Sequence, residues 1–229
     1  MPDQVLGYVC LVRLQRLERF LSEWKAKQTI GIFRSNSYKT HKRELEYLGG
    51  RMAAKLAAAA WSGKHGSSGS LDWGSLLVCA GPDEQRVCYQ NGKYAASVGI
   101  THSGRWAAAI AMPGPKVALD LEDAQRRRIA AEAFHWLELQ NRASAELLRE
   151  YWTLKETVAK LSGIGILGFE NEIFSYTYGS QRWIGVVSPR FFLGQALVVC
   201  RTTPHFSMAI GFDSSGGMYG ARGEMHSPL

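Results

Sequence analysis

Residues 5–12, Val-Leu-Gly-Tyr-Val-Cys-Leu-Val, form an apolar run of strand length, and Leu14, Leu17, Leu21 and Trp24 then recur at helical spacing over 14–27. A strand and an amphipathic helix are predicted to open the chain. Beyond the polar stretch Arg34-Ser35-Asn36-Ser37, a helix is predicted over 40–60, with Leu45, Leu48, Met52 and Leu56 on one stripe and an alanine run at its end. The segment Ser62 to Ser70 has little to bury and reads as a flexible loop. Alternating and apolar runs predict strands at 74–79, 85–90, 96–101 and 105–112, and Pro113-Gly114-Pro115-Lys116 turns the chain into another at 117–122. A helix carrying Arg126, Arg127 and Arg128 follows, then a longer one from Ser144 to Leu161 stopped by Gly163 and Gly165. Strands near 171–177, 182–187 and 195–201 complete the pattern, and the tail from about 213 reads as poorly ordered. The fold class is therefore α+β. It divides into an N-terminal half, 1–114, and a C-terminal half, 115–229, each with helices packed on an antiparallel sheet.

With 229 residues and 46% hydrophobic content, the chain can bury a substantial core. The excess of 27 Lys and Arg over 20 Asp and Glu gives a net charge of +7. Such a surface favours an anionic partner: a phosphorylated cofactor, an acidic protein or nucleic acid. No basic stretch is interleaved with stacking aromatics and no helix-turn-helix or zinc-finger pattern occurs, so a nucleic-acid-binding module is the weaker alternative. Cys10, Cys79, Cys88 and Cys200 form no CxxC pair and read as small core residues of a reducing compartment. A basic-then-apolar leader and an apolar run near 20 residues are both lacking, so a cytoplasmic protein without a membrane span is expected.

Three constellations bear on chemistry. In Val117-Ala118-Leu119-Asp120-Leu121-Glu122, period-two alternation sends the apolar side chains to one face and both carboxylates to the other. Such a pair is a solvated outer face unless it shares a proton or gathers a hard cation such as Mg²⁺. On the helix around residue 152, Trp152, Glu156 and Lys160 lie four apart beside the core stripe Leu147, Tyr151, Leu154, Val158 and Leu161. Alone, Glu156 and Lys160 would be a surface pair contributing about 0.3–0.5 kcal/mol. The third constellation is Gly99-Ile100-Thr101-His102-Ser103-Gly104, a polar knot at a strand end. Its imidazole, hydroxyls and amides suit either a phosphate or an internal hydrogen-bond network.

Taken in order, these pieces resemble the phosphopantetheinyl transferase superfamily, whose members carry a Ser-His-Ser-type turn, a Gly-Ile-Asp-x-Glu strand and a Trp/Phe-x-x-Lys-Glu-x-x-x-Lys helix. Here they stand as Thr101-His102-Ser103, Ala118 to Glu122 and Trp152 to Lys160. Glu46-Tyr47-Leu48-Gly49-Gly50-Arg51 is similar to the family's Leu-x-Gly-Arg helix, and Gly92-Lys93-Tyr94 to its Gly-Lys-Pro loop. Gly163 to Phe169 and Gly194 to Cys200 resemble its Gly-rich continuation and last strand, so the likeness runs from about Arg34 to Cys200. Ala118 stands where the family has Gly, Tyr94 where it has Pro, and Gly99 and Thr101 where it usually has Asn or Ser.

The resemblance implies the larger, surfactin-synthetase-activating type: a monomer of two pseudo-symmetric halves with the ligand cleft between them. Its implied activity is transfer of the 4'-phosphopantetheine arm of coenzyme A to a serine of an acyl or peptidyl carrier protein. Asp120, Glu122 and Glu156 are the implied Mg²⁺ ligands, Glu156 the base for the serine hydroxyl and Lys160 the cation facing the phosphate. Arg34, Arg51, Lys93, Thr101, His102 and Lys155 are implied to hold coenzyme A, and Glu138 falls where the family often has a further acidic residue near the metal. The arginine run 126–128 would meet the acidic carrier, or be a solvated helix face. A catalytically silent relative that only binds coenzyme A or a carrier is the other reading.

Overall fold

The computed structural model describes residues 7–25, 39–65, 75–81, 86–114, 116–125, 145–162, 173–178, 181–186 and 196–213. Strand β1 (Tyr8–Arg13) runs straight into helix α1 (Leu14–Lys25), and helix α2 (His41–His65) follows. Thr40 caps α2: its hydroxyl accepts from the Arg43 amide at 3.3 Å and its carbonyl from the Glu44 amide at 3.1 Å. The helix continues to His65, with Ser62 buried, so the expected loop begins later than Ser62. Strands β2 (Leu76–Ala80), β3 (Arg86–Gln90), β4 (Lys93–Ser103) and β5 (Trp106–Met112) complete an antiparallel sheet in the order β1-β5-β4-β3-β2.

Where a Gly-Lys-Pro-like loop is expected, Asn91 (φ 52°) and Gly92 (φ 76°) form a two-residue hairpin turn, and Lys93 and Tyr94 already belong to β4. Asn-Gly is the sequence such a turn demands, because both of its central residues take positive φ.

Beyond Pro113-Gly114 the chain builds a second sheet. Strand β6 (Val117–Asp123), helix α3 (Ala145–Ser162) and strands β7 (Ile173–Tyr178), β8 (Gln181–Val186), β9 (Ala196–Thr202) and β10 (Phe206–Asp213) give the antiparallel order β6-β10-β9-β8-β7. Its connection order repeats that of the first sheet, with β6 in the place of β1 and β10 in the place of β5. The expected tail begins where β10 ends. Strand β10 itself was not expected, although Phe206, Met208, Ile210 and Phe212 alternate with Ser207, Ala209 and Gly211. The intervening positions are small because α3 lies on them: a Cβ on Gly211 would come within 2.5 Å of Leu161 Cδ1 and 2.9 Å of Thr157 Cγ2.

Strand alternation sorts the buried side chains into three clusters between four layers. One face of the first sheet (Val12, Leu76, Val78, Cys88, Ala96, Val98, Ala107, Ala109, Ala111) packs on α1 and α2. Its other face, with Ala108, Ile110 and Met112 of β5, meets Val117, Leu119 and Leu121 of β6 and the apolar side of β10. Behind the second sheet, Leu154, Val158 and Leu161 of α3 cover Ala118, Val198, Cys200 and Ala209. The order is helix, sheet, sheet, helix. Near the start of α2, Gly49 and Gly50 let the helix lie flush. A Cβ on Gly49 would stand 2.5 Å from Leu14 Cδ2 and 3.0 Å from Ala107 Cβ, and one on Gly50 2.8 Å from Ile100 Cγ2.

Cys88 and Cys200 are buried, Cys10 and Cys79 half-buried, and all four are free thiols. No described helix is long and apolar enough to cross a membrane. Arg34, the arginine run 126–128, Glu138 and the segments 66–74 and 163–170 lie outside the described residues.

Candidate functional site

The site is built where the end of β4 meets β6. Asp120 and Glu122 are not a solvated outer face, since each is only 5% exposed. On β6 they alternate with Leu119 and Leu121, which are committed to the inter-sheet core, so they turn toward α3 and the end of β4. Thr101 donates its hydroxyl to Asp120 Oδ1 at 3.2 Å, and Ser103 donates to Glu122 Oε2 at 2.7 Å. From α3, the Trp152 indole N–H reaches Glu122 Oε1 at 3.1 Å, and Lys160 Nζ reaches Asp120 Oδ1 at 2.6 Å and the Leu119 carbonyl at 3.3 Å. Three segments far apart in sequence thus meet through direct hydrogen bonds.

The electrostatics are unbalanced. Burial pushes the Asp120 carboxyl up to about 6, opposed by the Lys160 ammonium and reinforced by the negative charges of Glu156 and Glu122. Asp120 Oδ2 is buried and finds no hydrogen-bond partner among the described residues. Such a buried acceptor costs about 1–3 kcal/mol. Glu156 is half-buried on α3, one turn before Lys160, and lies near enough to Asp120 for its charge to act there. Lys155 is half-buried, and burial lowers its pKa. Among the described residues, no three His, Cys, Asp or Glu side chains close on one point as a finished metal cage.

Alternation along β4 gives His102 a different neighbourhood from Thr101 and Ser103. The imidazole faces α2, with Nδ1 3.7 Å from Glu46 Oε2. Glu46, its side chain only 6% exposed, also holds Arg43 Nη1 at 3.1 Å and Lys42 Nζ at 3.7 Å. Burial lowers the His102 pKa, Glu46 raises it, and Arg43, Lys160 and Lys42 lower it further. Glu46, Lys42 and Arg43 carried no expectation as site residues, because along the chain they read as the charged start of a solvated helix.

The residues expected to hold coenzyme A are not all brought together. Thr101 is buried and gives its hydroxyl to Asp120. Arg51 donates to the Val78 carbonyl and lies over the Tyr47 ring at 5.9 Å, which ties α2 to β2. Lys93 sits at the far end of β4 from His102, about 30 Å away at the usual rise of a strand.

Beside the site, Asp123 pins the β4–β5 turn to the end of β6. Its carboxylate accepts from the Arg105 amide at 2.9 Å and, as a bidentate pair, from Arg105 Nε and Nη2 at 3.0 Å each. Burial alone would raise its pKa, but the hydrogen bonds from Arg105 and from the Gln125 amide hold the carboxyl below the ordinary carboxylate range. A depressed acid stabilises the fold above its unfolded value of about 3.9 and loses that contribution as pH falls through the native value. Asp123→Asn should therefore cost about 2 kcal/mol at pH 7 and much less near pH 3. Urea denaturation at the two pH values checks this, and an equal loss at both would remove the charge from the account.

No protein-family model matches this chain, and a search of curated proteins likewise returns no match.

Proposed function

We propose that this chain is a 4'-phosphopantetheinyl transferase of the two-half type, moving the phosphopantetheine arm of coenzyme A to a carrier-protein serine. The observation that supports it most is the meeting of the three motif segments. Thr101 and Ser103, Asp120 and Glu122, and Trp152 and Lys160 are joined by direct hydrogen bonds although they come from different elements. The repeated strand order of the two sheets supports a pseudo-twofold relation between the halves, with coenzyme A in a cleft between them. A monomer acting in the cytoplasm on an acyl or peptidyl carrier belongs to the same proposal.

The donor set suits Mg²⁺. Asp120, Glu122 and Glu156 offer hard carboxylate oxygens, and the orphaned Asp120 Oδ2 is a buried acceptor that a cation would satisfy. Bound there, the ion would offset negative charge on the diphosphate of coenzyme A. Glu156 would take the proton of the carrier serine as its oxygen bonds to the β-phosphorus. The bond from that phosphorus to the bridging oxygen breaks, and adenosine 3',5'-bisphosphate leaves. Lys160, displaced from Asp120, would face the leaving phosphate as a point charge. His102 would hold the 3'-phosphate of the nucleotide.

Incubating the chain with an apo carrier, coenzyme A and Mg²⁺, and following the carrier by mass spectrometry, tests the activity directly. Failure to add the phosphopantetheine mass to fatty-acid, polyketide and nonribosomal carriers alike would end this reading. The metal is testable without turnover. At about ten times its dissociation constant, Mg²⁺ should stabilise by about 1.4 kcal/mol, a rise in Tm of about 3–6 °C. The rise should appear near pH 7.5 and shrink near pH 5, where Asp120 is protonated and the ion must displace a proton. Melts against a KCl control of equal ionic strength read it, and a shift independent of pH would exclude Asp120 as a ligand.

A further inference from the structure

We propose that Glu46 is a positioning residue that gathers His102, Arg43 and Lys42 into a receptor for a phosphate monoester. The inference leans on the transferase reading only for the identity of the ligand, the 3'-phosphate of coenzyme A.

Lys42 and Arg43 are long side chains, 75% and 66% exposed, that would otherwise wander in solvent. Glu46 is their fixed point, one turn along α2 and buried, so its carboxylate has one place to be. From there it spans to the His102 imidazole on β4, an inter-element link at 3.7 Å. Two cations and an imidazole around one carboxylate leave positive charge in excess at a partly open surface, with His102 40% exposed. The charged groups that face the imidazole are Glu46 on one side and Arg43, Lys160 and Lys42 on the other, and only Glu46 favours the protonated ring. Removing Glu46 therefore has two opposed effects: one repulsive charge disappears, while the imidazole becomes harder to protonate and both exposed cations lose their anchor. The second effect wins because two charge-assisted bonds depend on Lys42 and Arg43 being held in place, whereas the repulsion of one carboxylate is already offset by those same partners.

The test uses the full chain and two probes, inorganic phosphate and adenosine 3',5'-bisphosphate. In Glu46→Gln the His102 ring, followed by NMR, should titrate at lower pH than in wild type, and the bisphosphate should bind about tenfold more weakly, roughly 1.4 kcal/mol. Glu46→Asp should recover part of both. Since Glu46 is buried, Arg43→Gln on the exposed side supplies a variant that folds, and it too should weaken the bisphosphate. Wild type binding neither probe, an unmoved His102 titration, or equal or tighter bisphosphate binding in Glu46→Gln would each overturn the receptor. Transfer activity is scored separately. A chain that transfers, with Glu46→Gln unaffected in coenzyme A affinity, refutes this inference and leaves the transferase reading standing. A chain whose bisphosphate binding depends on Glu46 but which never transfers does the reverse.

Discussion

Glu156→Gln is expected to lower holo-carrier formation by about 10²-fold or more while the protein stays folded. As the acidic half of an exposed helix pair, Glu156 would matter by only a few tenths of a kcal/mol in stability and not at all in turnover. The surroundings of Glu156 argue for the larger effect. It is half-buried on α3, and its charge is felt by Asp120, a carboxyl already pushed up to about 6 by burial. The amide keeps the shape and loses both charge and basicity. If the two carboxylates act at one centre, as proposed, Glu156→Gln and Asp120→Asn should be strongly non-additive: the double variant should be little slower than the worse single one. Initial rates of mass gain on the carrier measure all three. A Glu156→Gln rate within about threefold of wild type, less than 1 kcal/mol of barrier, would sink the proposed role.

Lys160→Met should destabilise the chain in a pH-dependent way. Lys160 is the cation that reaches Asp120, at 2.6 Å, and it opposes the effect of burial on that carboxyl. An acid whose native pKa lies above the unfolded value of about 3.9 contributes fully below that value and loses stability as pH rises to the native pKa. Without the ammonium, the native value climbs further and the loss continues to higher pH. Lys160 is 38% exposed, so solvent already screens part of its attraction, and the discounted cost is about 2 kcal/mol at pH 8. Near pH 5 the variant should melt close to wild type, and at pH 8 about 4–8 °C lower. Adding Asp120→Asn to Lys160→Met should restore most of the difference. A Tm loss equal at both pH values would mean that Lys160 acts by packing its stem and not by holding a carboxylate.

Much of the frame was legible because the patterns carrying it are local. The α2 stripe of Leu45, Leu48, Met52 and Leu56, the alternation of Val117, Leu119 and Leu121, and the apolar face of α3 each announce one element. Strand β10 escaped notice because its second face is Ser207, Ala209 and Gly211, chosen by the closeness of α3 and not by contrast with solvent. The site was partly legible for the same reason. Asp120, Glu122 and Lys160 share motifs that can be read along the chain, but which of Thr101, His102 and Ser103 serves which partner depends on what lies on either side of β4. That the Thr101 hydroxyl goes to Asp120 and that Lys93 stands at the other end of β4 from His102 is not visible in the sequence, since neither the burial of a hydroxyl nor the length of a strand shows in a three-residue motif. Glu46 was invisible in another way: a glutamate in a helical turn with Lys42 and Arg43 looks like any solvated face until a histidine from another strand arrives beside it.

Two adjacent residues without side chains, Gly49 and Gly50, set how far the first long helix stands off the strands beneath it, close to the point where Glu46 meets His102. That standoff behaves like a shim in an instrument. A methyl group slipped in at either position would touch no ligand and carry no charge, yet it would lift the helix and open the imidazole–carboxylate gap. The phosphate affinity of the proposed receptor would then fall through a change that looks purely architectural, and an inventory of charged residues would miss it.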